Sequence, residues 1–273
     1  MEHYDQLKNK LAEITVIIPV GGKATRAQAI TNDKFPKHLI SISHEETVLG
    51  TICHQLQNIG FRSFLFCTGY HSAQIVKYVN EVLGKVDQNV TYRFSDESTP
   101  LGPDGAVLNA IKGHAITGDI LIIPGDTLLP WNEVAEMCSW HTEQLSDGIT
   151  LGVTRKNSEH EISGGVFVID KHTNKLIDYY SHSINPPIEK GGLEYYRSAA
   201  VTVATAGYFA HLCDLYSTQH TLDEQLNFRH TILPWALKTD VFSILTYEIE
   251  GHMLDVGTPS NIRHAQENHQ QYM

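Results

Sequence analysis

Apolar residues along this chain fall into two patterns, short unbroken runs and one-sided helical stripes. TVIIPV, residues 15–20, is almost wholly apolar and stops at Gly21-Gly22, as a strand buried on both faces would. HLISI leads into a stripe of Val48, Ile52, Leu56 and Ile59, which predicts a helix stopped by Gly60. SFLFCTG reads as the next strand. SAQIVKYVNEVLG then reads as a helix, with Ser72 as its cap, Ile75, Val76, Val79, Val82 and Leu83 on one face, and Gly84 at its end. NVTYRF and DILIIPGD predict further strands, separated by a helix over residues 105–112. This alternation of strand and helix predicts an α/β fold with a doubly wound sheet. Beyond Trp140, ITLGVT, GGVFVI and VTVATAGYFA read as strands and SINPPIEKGG as a surface loop. Helical patterns return over residues 222–237 and in PSNIRHAQENHQQY. No repeat, low-complexity tract or linker interrupts the chain, so it reads as one domain, residues 1–273.

Charge narrows the function classes. With 20 Lys and Arg against 31 Asp and Glu the net charge is −11, which disfavours non-specific binding to nucleic acid or anionic membranes. The four cysteines, Cys53, Cys67, Cys138 and Cys213, lack the paired spacing of a zinc site or small disulfide framework and read as reduced thiols, as in a cytoplasmic protein. The first 22 residues place acids before a short apolar run, with no basic leader region, and no stretch approaches the ~18 apolar residues of a membrane span. Sixteen histidines include no HxxxH or HExxH pattern and read as surface polar groups. Trp131, Trp140 and Trp235 read as core.

Against the acidic background, GGKATRAQAITNDKFPK, residues 21–37, carries Lys23, Arg26, Lys34 and Lys37 with one acid, Asp33. Two glycines let a ligand approach the backbone closely, and exposed amides with an arginine fork suit a triphosphate. The segment is neither a Walker A loop nor GxGxxG; the plain alternative is a solvated basic loop. Asp126 in IIPGDTL stands at the carboxyl end of a predicted strand, where ligands of doubly wound sheets gather, although GD also suits an Asx turn. Asp255 in LDVGTP suits either a helix cap or a ligand, and Asp96 and Glu97 read as solvated.

Six segments in order resemble one family. GGKATR…FPK resembles the GGxGTR…PK signature of the sugar-1-phosphate nucleotidyltransferases, and FCTGYHSAQI, FSDESTPLGPDGAV, IIPGDTL, TAGYFA and LDVGTPSNIRHA resemble its later motifs, over nearly the whole chain. The resemblance implies a single Rossmann-like, type A glycosyltransferase-like mixed sheet. It also implies a reaction of NTP with sugar 1-phosphate to give NDP-sugar and pyrophosphate, with Mg²⁺ or Mn²⁺. By that resemblance Gly21, Gly22, Thr25 and Arg26 hold the triphosphate and Lys37 reaches the sugar-side phosphate. Asp126 and Asp255 bind the metal, and Gly102 and Gly105 line the base and sugar pocket, with Gly164, Glu189 and Thr205 as substrate contacts. The substrate's phosphate is the nucleophile, so catalysis rests on positioning and charge neutralisation.

Three departures from the pattern keep other readings open. Ala24 replaces a glycine, Pro103-Asp104 stands where Thr-Ala is usual, and Ser181-His182-Ser183 aligns with EKP, Glu189-Lys190 lying several residues later. The alternatives are a catalytically weak nucleotide-sugar-binding regulatory subunit and a nucleotidyltransferase for a non-sugar phosphate such as a cyclitol or choline phosphate. Neither the base nor assembly as a homo-oligomer is decided by these residues.

Overall fold

The structure, a computed structural model, describes residues 2–23, 25–144, 147–155, 165–170, 172–180, 193–220, 226–239 and 242–272. In chain order the elements begin α1 (Glu2–Glu13), β1 (Thr15–Pro19), α2 (Gln28–Thr31), α3 (Val48–Ile59), β2 (Ser63–Thr68), α4 (Ser72–Glu81) and β3 (Thr91–Asp96). They continue α5 (Pro103–Gly113), β4 (Asp119–Ile122), β5 (Thr127–Leu128), α6 (Trp131–Gln144), β6 (Ile149–Thr154), β7 (Val166–Asp170) and β8 (Leu176–Tyr180). The remainder are β9 (Leu193–Thr205), α7 (Ala206–Gln219), α8 (Leu233–Thr239), β10 (Ile244–Glu248), β11 (Leu254–Asp255) and α9 (Pro259–Glu267).

A nine-stranded sheet runs β10-β6-β9-β4-β1-β2-β3, with β7 beside β9 and β8 beside β7. The stretch β4-β1-β2-β3 is parallel, and β9 lies antiparallel between β4 and β6. Both faces of β1 are covered, which explains its unbroken apolar run. Val16 and Ile18 point into one core with α1, α3, α4, α6 and α9, while Ile17 points into the other with α5, α7 and α8, following the two-residue period of a strand. All four cysteines are free and buried. No helix among the described residues is long and apolar enough to cross a membrane.

Local chemistry departs from the sequence reading at several points. Ser72 opens α4 rather than capping it; the cap is His71, in the left-handed region at φ 59°. The pattern over 222–237 contains a π-helical turn, Phe228–Ile232, running into α8, and residues 221–225 lie outside the described ones. SINPPIEKGG lies outside them as well. VTVATAGYFA is not one strand, because β9 ends at Thr205 and α7 begins at Ala206. Two helices gave no clear stripe. In α1 the chain buries Leu11 and packs Leu7 partly against the same core, among mostly polar neighbours. In α6 the inward face includes His141, fully buried with its Nδ1 2.8 Å from Thr150 Oγ1.

Candidate active site

A cleft of about 710 Å³ opens at the carboxyl ends of β1 to β4. Gly21, Gly22 and Lys23, directly after β1, form its centre with Lys37, His38 and Asp126. Gly21 has no room for a side chain: an added Cβ would stand 2.9 Å from Glu97 Oε1 and 3.1 Å from Gly69 N. At Gly22 the same atom would meet nothing within 4 Å, so the backbone there is open to a ligand. The loop continues through a 3₁₀ turn, Thr25–Ala27.

Asp126 and Asp255, distant in sequence, come together because β5 and β11 pair antiparallel, Asp255 opposite Thr127, and Val256 N donates to Asp126 O at 2.8 Å. Each faces a cation. Lys37 Nζ makes an ion pair with Asp126 Oδ2, both side chains nearly buried, while the more exposed Arg26 reaches Asp255 Oδ2 at 3.6 Å. Burial alone would raise the Asp126 carboxyl, but Lys37, then His38 and Arg26, outweigh it and hold Asp126 below its ordinary range. For Asp255, burial and then the neighbouring Asp126 charge prevail and push the carboxyl up. His38 is depressed to about 4, chiefly by burial, with Asp126 opposing that fall and Lys37 adding to it.

These carboxylates fit a hard divalent cation. Asp255 Oδ1 is buried with no well-formed hydrogen-bond partner among the described residues, and carboxylate oxygens are the donors Mg²⁺ and Mn²⁺ prefer. Among the described residues no group of three or more His, Cys, Asp or Glu could hold a metal. The remaining positions would fall to water and substrate phosphates, as is usual for Mg²⁺. Cys67 lines the cleft, but burial, aided by Glu97, raises its thiol to about 12, which removes it as a nucleophile at neutral pH.

Two arms leave this centre. One lies over β2 and β3 and is lined by Cys67, Glu97 and Pro100. Glu97 is not simply solvated, since its Oε2 accepts from Leu101 N at 3.0 Å and fixes the loop that leads to α5. Gly102 lines the cleft at φ 80°, ψ 164°, a conformation open essentially to glycine, and precedes Pro103 at the first turn of α5. Gly105 does not line the cleft. It packs behind the wall, where an added Cβ would stand 3.0 Å from Leu101 Cβ.

The second arm lies over β4 and β9 and is lined by Val107, Ile122, Ala200, Thr202, Phe209 and the segment Asn227–His230. Here β9 carries a bulge against β6, where the register shifts between Leu151 and Val153 and Ala200 takes φ 63°. Such bulges re-aim side chains beside active sites. Thr205 belongs elsewhere. Because β9 runs antiparallel to β4, its last residue lies at the start of β4, donating to Asp119 Oδ1 at 3.2 Å, on the edge opposite the cleft. The strand residues that reach the cleft are Ala200 and Thr202, earlier in β9 than the TAGYFA motif. Nothing in SAAVTV marks them, because the alanine that takes a positive φ is indistinguishable in sequence from any other strand alanine. Gly164 and Glu189 lie outside the described residues, as does Ala24; the Thr25 side chain is not described either.

The cleft at the carboxyl edge of the sheet, with an open glycine loop, Lys37 and Asp126 on its lining and the Arg26–Asp255 pair beside Asp126, is that of an α/β protein whose site suits phosphate groups. Residues 15–180 match the family model described as nucleotidyl transferase, and the chain belongs to that family. Among characterised proteins it is similar to the D-glycero-alpha-D-manno-heptose 1-phosphate guanylyltransferase of Aneurinibacillus thermoaerophilus, with 24% identity over 258 residues covering 94% of this chain and 99% of that one. The UTP-bound UGPase of Acinetobacter baumannii has the same fold, with a TM-score of 0.72 at 16% identity over 94% of this chain and 93% of that one. HddC of Yersinia pseudotuberculosis complexed with GMP-PN superposes with a TM-score of 0.64 at 20% identity, covering 94% and 99% of the two chains. The Rossmann-like mixed sheet expected from the sequence is the one found.

Proposed function

We propose that this chain joins an NTP to a sugar 1-phosphate, releasing pyrophosphate and forming an NDP-sugar. The observation that carries the reading is a cleft in which Gly21–Lys23, Lys37 and Asp126 stand between lining residues from the β2–β3 side and from the β4–β9 side of β1. Two arms suit a reaction with two substrates. The arm over β2 and β3 continues directly from the glycine loop and is assigned to the nucleoside, since doubly wound sheets hold nucleotides across these first strand ends. The arm over β4 and β9 is assigned to the acceptor.

In this arrangement an oxygen of the acceptor's phosphate attacks the α-phosphorus of the NTP, and the bond to pyrophosphate breaks. Open amides at Gly21 and Gly22 receive the triphosphate. Lys37, fixed by Asp126 at the junction of the two arms, offsets the charge of both phosphates as they approach. Arg26, more exposed and beside Asp255, covers the departing pyrophosphate. Fixed cations aimed at developing charge lower the barrier without reorganising during the reaction. Mg²⁺ or Mn²⁺ held by Asp126 and Asp255 would supply further neutralisation of phosphate charge. The chain is read as cytoplasmic, with its four buried thiols reduced.

The test is pyrophosphate release across four NTPs and a panel of glucose, mannose and heptose 1-phosphates, with and without exhaustive chelation. Turnover with one matched pair that chelation abolishes is the expected result. Turnover unchanged by chelation would remove the metal from the reading, and silence with every pair would remove the activity.

A further inference from the structure

The acceptor arm holds one strong donor whose bonds are unmade. Arg229 lies in the π-helical turn Phe228–Ile232 and lines the cleft. Arg229 is half-buried, and burial pulls its pKa down against the opposing influence of Asp104 and then Tyr179. Among the described residues it makes no hydrogen bond and no ion pair within 4 Å, whereas the other buried ion-pair partners of the cleft, Lys37 and Asp126, are already joined. A guanidinium carries five N–H donors in a fixed fork, and here none of them meets an acceptor among the described residues of the cleft lining.

Its neighbour does not satisfy it. Asp104 Oδ2 accepts from Phe228 N at 2.7 Å, which ties this carboxylate to the turn. At longer range it still balances the arginine's charge. The floor beneath is apolar, formed by Phe209 and Phe228 with ring centroids 5.7 Å apart, beside Ala106 and Val107. A charge-balanced fork over an apolar floor suits an uncharged ring bearing many oxygens. Its hydroxyl oxygens accept from the fork and its C–H face covers the aromatic surface. Asp104 beside the fork lessens its attraction for a second anion.

We propose that Arg229 is the specificity-determining residue of the acceptor arm, donating to hydroxyl oxygens of a neutral sugar ring remote from its phosphate. The inference rests on the nucleotidyltransferase reading above. It makes Arg229 a recognition residue that touches the acceptor and leaves the NTP alone.

The experiment compares wild-type enzyme with Arg229→Lys and Arg229→Met, each as the full chain. Pyrophosphate release is measured with the preferred NTP and with glucose, mannose, heptose and glucuronic acid 1-phosphates. Arg229→Lys keeps the charge opposite Asp104 but loses the fork. It is expected to raise KM for the best neutral sugar 1-phosphate by about 30-fold, the size of a lost charge-assisted hydrogen bond, while KM for the NTP stays within about 2-fold. Arg229→Met should raise it further and flatten the preference among the neutral sugars. If Arg229 serves only to balance Asp104, Arg229→Lys will have an unchanged acceptor KM, and that result overturns the proposal whether or not Arg229→Met folds. Glucuronic acid 1-phosphate as the best acceptor would overturn the neutral-ring assignment. A wild-type enzyme silent with every pair would instead defeat the underlying reading. Calorimetric titration of glucose and mannose 1-phosphates into wild type and Arg229→Lys then decides: weaker binding to the variant supports Arg229, and equal binding, or none to either, overturns it.

Discussion

The arm over β2 and β3 is assembled from strand ends and the loops that leave them, while the arm over β4 and β9 depends on an antiparallel strand, a bulge and a π-helical turn. In the first, Gly21, Cys67 and Glu97 each stand at or just after the carboxyl end of a parallel strand. The local chain supplies the position, and the apolar run before it supplies the rigidity. In the second, Ala200 faces the cleft because the register of β9 slips against β6, and Arg229 because an extra backbone step enters a helix. A recognition surface made of such irregularities can change its ligand while the sheet keeps its core. A centre made of strand ends is tied to the sheet itself.

The largest effects should therefore fall at the centre and spare the arms. Asp126→Asn and Asp255→Asn remove a charge with little volume, and each is expected to lower the metal-dependent rate by at least ~100-fold, read by pyrophosphate release at saturating substrates. A variant of either residue with undiminished rate and unchanged dependence on Mg²⁺ would dissolve the contrast between a catalytic centre and recognition arms.

Next come the two cations, Arg26 and Lys37, which lie in one basic segment of the sequence. Arg26→Ala and Lys37→Ala should each lose about 3 kcal/mol in kcat/KM. Their stabilities should diverge, because only Lys37 is paired with a nearly buried carboxylate. Removing it leaves Asp126 uncompensated at a cost of roughly 3 kcal/mol, whereas loss of the exposed Arg26 should cost under about 1 kcal/mol. Equal melting temperatures for the two variants would place Lys37 on the surface, against the structure.

The same distinction between centre and arm bears on what the sequence could reveal. TVIIPV, the +3 loop and GD were legible because a parallel strand buried on both faces is a continuous apolar run and its ligands follow it immediately. The pairing of Asp126 with Asp255 could be named from the family pattern, but the β5–β11 contact that joins them spans nearly half of the chain and leaves no local period. Thr205 was placed in the site because TAGYFA resembles a strand motif. The reversal of β9 against β4 carries that residue to the opposite edge, a fact of topology that a motif does not contain. Glu97, read as solvated, gains its role from Gly21 and Gly69, which leave space beside it. Arg229 had no signal, since a π-helical turn looks like any helical stretch.

A smaller effect is expected from acidity. His38 is buried at the centre with its pKa lowered from 6.5 to about 4. The unfolded chain takes up this proton below pH 6.5 and the folded chain does so only near pH 4. Stability present above pH 6.5 is therefore lost progressively across that window, by up to about 3 kcal/mol. His38→Gln, measured by thermal melting in chelator from pH 7.5 to 4.5, should show a shallower decline than wild type. Parallel curves would mean that His38 ionises on folding as freely as in water.

The smallest effects compare one backbone position in each arm. Gly102 sits at φ 80°, ψ 164°, where a Cβ is disfavoured whatever space surrounds it, so Gly102→Ala should cost about 1 to 3 kcal/mol and distort the first turn of α5. Ala200, at φ 63°, already bears that strain. Ala200→Gly relieves it while adding freedom to the unfolded chain, and the two nearly cancel, so its stability should lie within about 0.5 kcal/mol of wild type. Ala200→Val adds branching at a positive φ and pushes methyls toward the acceptor arm. It should lose about 1 to 2 kcal/mol of stability and raise the acceptor KM more than the NTP KM. Equal effects of Ala200→Val on the two KM values would show that the bulge serves the sheet alone, and the contrast between the arms would then rest on Arg229.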